Sequence, residues 1–178
     1  FDTEPVDLAV LESRLLNQLA RHQDAADILE EALGAFPDER KLKVNYGKTL
    51  TYIDKQRAEV VYQELLDDSP RDTQVLVAHS LVAADNKHFD AAKRSLNTLT
   101  QSQSERDFAH LQLGLIAKEQ GNSELALSHF KAVKPSNYFL SATQNIINSY
   151  IDLKQINQAR EYVALLRGQF PLQAPVFW

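Results

Sequence analysis

Residues 107–126 read DFAHLQLGLIAKEQGNSELA, and this stretch decides the fold. It reads as helix, short turn, helix, with an amphipathic pattern on each side of Gly121. Gly121 suits the turn, because a residue without Cβ enters the left-handed region at little steric cost. Gly114 suits a place where the two helices come close, since there is no side chain to hold them apart. The unit that follows is a helical hairpin.

Working outward, the second helix of this unit aligns with four others on one small residue: Ala25 in DAADILEEAL, Ala58 in RAEVVYQELL, Ala92 in DAAKRSLNTL, Ala126 in ELALSHFKAV and Ala159 in QAREYVALLR. Successive alanines lie 33 or 34 residues apart. Four residues after each comes Leu29, Tyr62, Leu96, Phe130 or Val163, and seven after comes Ala32, Leu65, Leu99, Val133 or Leu166. Offsets of four and seven place all three on one helical stripe. Pro37, Pro70 and Pro171 stand twelve after their alanines, where proline stops a helix. The pattern predicts first helices near 6–20, 39–53, 72–85, 104–119 and 138–153, and second helices near 22–36, 56–68, 88–101, 122–133 and 156–169.

These residues resemble the tetratricopeptide repeat, a helix–turn–helix unit of 34 residues with small residues at its eighth and twentieth positions. Gly47, Ser80 and Gly114 match the eighth position, and the five alanines match the twentieth. The first repeat departs by having Ser13 with no aromatic residue in its first helix, and the fifth by Ile147 at the small position, which suggests looser packing there. The resemblance implies an all-α, α–α superhelical solenoid of about five hairpins, with repeats near 5–37, 38–70, 71–104, 105–137 and 138–171 in a single array over 1–178. The segment 130–167 is also similar to the closing repeats of tetratricopeptide proteins of the proteobacterial cell envelope, which favours a periplasmic or envelope setting over the cytoplasm.

Composition agrees with helices and removes several chemistries. Leucine and alanine together supply about a quarter of the chain, against only 5 glycines. There is no cysteine, so disulfides, thiolate metal sites and a cysteine nucleophile are excluded. No apolar run approaches the ~20 residues of a membrane-spanning helix. Net charge is −5, with −8 concentrated in residues 1–39, and nothing resembles the basic face that nucleic acid requires. His22, His79, His88, His110 and His129 are scattered without zinc-binding spacing, and His129 is expected at the surface. Neither a phosphate loop nor a nucleophile elbow is present. No catalytic, cofactor or metal residue is therefore assigned, and no enzyme activity. Asp67 and Asp68 read as turn residues before Ser69-Pro70.

The resemblance implies that function sits on the concave surface lined by the first helices. Carried onto this chain it singles out Lys48, Tyr52, Leu81, Gln112, Leu115, Gln144, Asn145 and Asn148 as a partner-binding groove, with Lys41, Val44, Val77, Phe108, Leu111 and Asp152 beside them. The alternative for the apolar members is packing between adjacent hairpins, and for Val77 and Leu111 that reading is favoured. Such a groove suits an extended peptide or an amphipathic helix. Capture of a chaperone's C-terminal carboxylate is not expected: Asn45 falls near one clamp position, but Gln74 and Ala78 occupy the places of the basic pair. Arg40, Lys41 and Lys43 are expected to pair with Glu30, Glu31, Asp38 and Glu39, or else to meet an acidic partner.

The expected function is a non-enzymatic protein- or peptide-binding scaffold, one part of a longer bacterial protein; the alternative is a recruiting or regulatory domain of an envelope enzyme such as a protease. Self-association through the array ends is a further expectation. Because the chain starts at Phe1, a signal peptide or lipid anchor upstream is conceivable. The apolar tail FPLQAPVFW is expected either to cover the fifth repeat or to dock elsewhere. Finally, Gly47 and Ala58 are 11 residues apart, whereas Ser80–Ala92 and Gly114–Ala126 span 12, and the chain contains no methionine. The natural protein is expected either to hold one more residue, a methionine, near Leu50–Thr51 or to carry a one-residue deletion there.

Overall fold

The computed structural model describes residues 3–169. Ten helices and no strand occur among them: α1 (Thr3–Gln18), α2 (His22–Ala35), α3 (Arg40–Ile53), α4 (Lys55–Asp68), α5 (Thr73–Asp85), α6 (Phe89–Leu99), α7 (Arg106–Glu119), α8 (Ser123–Ala132), α9 (Phe139–Asp152) and α10 (Ile156–Gln169). They pair in order as five hairpins, so the fold is an all-α, α–α solenoid. The helices fall into two compact units, Phe1–Thr98 and Leu99–Trp178. Pro171 and the apolar tail lie outside the described residues.

Helix starts are fixed by side chains that satisfy otherwise unpaired backbone N–H groups. Asp54 accepts from the Arg57 amide at 3.0 Å, Asp72 from those of Gln74 and Val75 at 3.0 and 3.1 Å, and Asn122 from that of Leu125 at 3.0 Å. Burial alone would raise the Asp72 carboxyl, but the Val75 amide and the Arg40 guanidinium outweigh it and hold the group below its ordinary range. Pro37 and Pro70 follow α2 and α4 by two residues, consistent with their role as stops.

Four of the five hairpin turns are built alike. The second residue after the helix end adopts positive φ at Ala20 (57°), Lys87 (64°), Gly121 (77°) and Lys154 (57°). The amide that follows each reaches back five residues: Arg21 to Leu16 O, His88 to Ala83 O, Asn122 to Ala117 O and Gln155 to Tyr150 O, all at 2.8–2.9 Å. This is the Schellman closure of a helix C-terminus. The α3–α4 turn differs: Asp54 at φ −152° ends one helix and caps the next, and its amide bonds Leu50 O at 2.8 Å. The 11-residue Gly47–Ala58 interval thus removes the left-handed residue from the turn, while α3 continues unbroken through Leu50–Thr51.

Inside the second and fourth hairpins the small residue of the first helix meets the large one of the second. A Cβ on Gly47 would lie 2.9 Å from Tyr62 Cε1, and one on Gly114 would lie 2.4 Å from Phe130 Cε1. Both rings are fully enclosed, as are Ala58 and Ala126 beneath them. In the fifth hairpin the sizes reverse, with Ile147 at the small position and Val163 at the large one, and both remain half-buried. Between hairpins, α2 packs on α3 and α4 on α5 in the first unit, and α8 on α9 in the second. The second unit's core joins Leu111, Phe130, Ile146 and Tyr150, with Tyr138 and Tyr162 against it.

Candidate partner-binding surface

Ser13, Gly47, Ser80 and Gly114 are buried, and the two glycines lie against the second helix of their own hairpins. A helix turns about 100° per residue, so the next residue leaves that contact. It is accordingly exposed in Lys48, Leu81, Leu115 and Asn148. Leu81 and Leu115 retain 41% and 37% of their surface, which is notable for large apolar side chains in the middle of a helix.

In the first unit, Lys48 and Tyr52 project from α3 and Leu81 from α5. Tyr52 stacks flat on His22, with ring centroids 4.3 Å apart, and so lies beside the α1–α2 turn. Behind it runs a polar ladder between α1 and α3. His22 Nδ1 lies 2.9 Å from Asn17 Oδ1, Asn17 Nδ2 donates to Thr49 Oγ1 at 2.8 Å, and Arg14 Nε donates to Asn45 Oδ1 at 3.2 Å. Asn45 is nearly buried and also donates to Lys41 O, so it is held as a strut between α1 and α3.

In the second unit, Gln112 and Leu115 belong to α7, and Gln144, Asn145 and Asn148 to α9. Gln112 and Asn145 are half-buried and the others exposed. Asn145 Nδ2 donates to Ser141 O at 2.9 Å within its own helix. Phe108 and Leu111 are buried, so their packing role holds and they are not groove residues. Val44 and Val77 are half-buried, whereas Asp152 is exposed.

Two expectations are corrected. The basic run does pair with acids, but not with its neighbours in sequence: Arg40 bridges Asp72 on the α4–α5 connection at 2.5 Å, and Lys41 pairs with Asp7 on α1. Glu39 instead caps α3, and Glu30 binds Arg57 and the Tyr46 hydroxyl. The register brings these acids near only after hairpins stack, which spacing along the chain does not reveal.

The histidines are also less scattered than expected. His110 and His129 meet with Nδ1 atoms 3.3 Å apart across the α7–α8 hairpin, and His129 is half-buried rather than on the surface. Burial lowers the pKa of both; nearby Arg106 lowers His110 further against the pull of Asp107, and His110 lowers His129. His79 is buried on α5 with Nδ1 2.8 Å from Ser95 Oγ, and burial lowers it too. The signal that could have found the pair is positional: His110 lies four before Gly114 and His129 three after Ala126, two places that face each other in a hairpin.

Beside His110, Arg106, Asp107 and Lys134 line a polar recess of about 880 Å³. No cluster of three or more His, Asp or Glu side chains able to hold a metal occurs among the described residues, and no described helix is long and apolar enough to cross a membrane.

The exposed side chains singled out by the sequence thus lie on first helices of the hairpins. No protein-family model matches the chain, and neither does any curated protein sequence. Solved structures do share its fold. A crystal structure of MamA superposes with a TM-score of 0.81 at 16% identity, covering 97% of this chain and 95% of that one. Residues 41 to the end of MamA from Desulfovibrio magneticus RS-1 give 0.78 at 17% identity, covering 90% and 92%. PilF of Pseudomonas aeruginosa gives 0.71 at 19% identity, covering 91% and 75%. At these identities the likeness establishes the fold.

Proposed function

We propose that this chain is a non-enzymatic scaffold that binds a protein or peptide partner through the exposed faces of its first helices. The observation carrying this reading is the register itself: in each hairpin from the second to the fourth, the residue beyond the buried small position stays exposed, and in two it is a leucine. On α9 the face is amide-rich, with Gln144, Asn145 and Asn148, and on α7 it is mixed, with Gln112 and Leu115. Amides at such spacing suit the backbone of an extended peptide, and the leucines suit its apolar side chains. Lys48 and Tyr52 on α3 would add a cationic and an aromatic contact.

Replacing Asn145 and Asn148 by alanine removes one half-buried and one exposed amide and improves helix propensity, so stability should stay within about 0.5 kcal/mol of the parent. Proteins retained from source-cell extract by the immobilised parent chain should be lost from the double variant. Equal retention would overturn the assignment of this face.

A further inference from the structure

The contact between His110 and His129 joins two metal-ligating side chains from different helices, α7 and α8, in one half-buried place. Packing fixes their approach. His110 stands four residues before Gly114 and His129 one before Phe130, and the Phe130 ring lies directly against Gly114, so the two helices are held close at this level. The Nδ1 atoms are 3.3 Å apart and the ring centroids 5.6 Å apart, so each nitrogen points at the other ring. Between neutral imidazoles this is an N–H···N hydrogen bond, with one ring carrying its proton on Nδ1.

The same separation fits a metal. An ion that takes two imidazole nitrogens at about 2.0–2.1 Å in tetrahedral geometry sets them about 3.3 Å from each other. We propose that His110 and His129 form a two-histidine site for a divalent ion of the zinc and copper class, bound between their Nδ1 atoms. Turning each ring by about 35° aims both lone pairs at one shared point without separating the nitrogens. The bridging proton then resides on that ring's Nε2, so a neutral pair takes up the ion with no net release of protons. Burial lowers the pKa of both histidines, which keeps them uncharged at neutral pH, the form that ligates metal. Of the charged side chains that act on His110, Arg106 opposes a bound cation, whereas Asp107, one turn earlier on α7, favours it. Lys131 on α8 turns instead to the Tyr150 ring, 5.0 Å from its centroid. His110 also lines the polar recess, so the remaining coordination positions open to water. With two protein ligands rather than the three or four of catalytic and structural zinc sites, the ion is exchangeable. Imidazole donors select zinc, copper and nickel over magnesium and calcium, which favour oxygen.

Titration of the chelator-treated full chain with zinc chloride tests the site. Zinc should raise the unfolding temperature and shift the imidazole ring NMR signals of His110 and His129 ahead of those of His22, His79 and His88; magnesium should do neither. His110→Gln/His129→Gln, with unchanged helical circular dichroism, should lose the rise in unfolding temperature. His88→Gln, whose native ring meets Glu59 instead, should keep it. An unfolding temperature indifferent to zinc, an equal response to magnesium, a rise that survives in the double variant, or ring shifts led by another histidine would each overturn the proposal. The ring signals of the parent chain decide the matter even where the double variant fails to fold.

Discussion

Gly114 shows what a single position decides. Its Cα faces Phe130 so closely that even a methyl group would sit 2.4 Å from the ring, and the enclosed ring has nowhere to retreat. Gly114→Ala should therefore lower stability by about 1–3 kcal/mol despite alanine's better helix propensity. Gly34 has no atom within 4 Å of the added group, and Gly34→Ala should stabilise by about 0.5–1 kcal/mol. Ala126→Leu fills a site with no exposed surface and should cost about 1–3 kcal/mol. Chemical unfolding midpoints of the three variants check the hairpin register; a neutral Ala126→Leu would show it to be misaligned. The tight place at Gly114 was legible in the sequence. That Ile147 and Val163 exchange the sizes of small and large partners was not, because residue volume at one position means little until its partner is known.

At the scale of the element, the Schellman closures repeat where the residues do not. Only Gly121 announces a left-handed turn; Ala20, Lys87 and Lys154 take the same conformation with a Cβ present. Each such residue costs about 1–2 kcal/mol relative to a right-handed one, part of which glycine would return as unfolded-state entropy. Ala20→Gly and Lys154→Gly are each expected to stabilise by about 0.5 kcal/mol, whereas Gly121→Ala destabilises by about 1 kcal/mol. Thermal melts of the three single variants decide this, and a Gly121→Ala change without effect would mean the turn relaxes out of the left-handed region. The α3–α4 turn makes the contrast from within the same molecule. One residue fewer leaves room for a shared capping Asp54 but not for the closure. Mass analysis of the peptide Thr49–Lys55 from the natural protein tests whether a residue belongs there: one methionine residue of extra mass would restore the common interval.

On the scale of the whole molecule, the half-buried and buried histidines set the response to acid. His79, His110 and His129 all have folded pKa values below the ordinary 6.5, chiefly through burial. Each is a group held neutral by folding. Its contribution is fully present above the unfolded value and is lost as pH falls through 6.5 toward the lower folded value, because the unfolded chain then binds more protons. The unfolding temperature should fall on going from pH 7 to pH 5, and less steeply in the His110→Gln/His129→Gln variant. A parallel fall in both proteins would remove the pair from the explanation.

The hairpins, their order and nearly every helix boundary were determined by the sequence alone, since they depend on residues within one helix: the apolar stripe at offsets of four and seven, and prolines that stop it. The first-helix faces expected to bind partners came from the resemblance to the tetratricopeptide repeat, laid on that register. Only the tertiary structure decided what depends on neighbours some 30 residues away. It set Arg40 on Asp72 and Lys41 on Asp7, and joined His110 to His129. It also left Leu8 and Leu15 exposed on α1 while burying their counterparts in every later hairpin. Periodicity reports which side of a helix is apolar, but whether that side meets another helix is a property of stacking, and stacking exists only once the chain has folded.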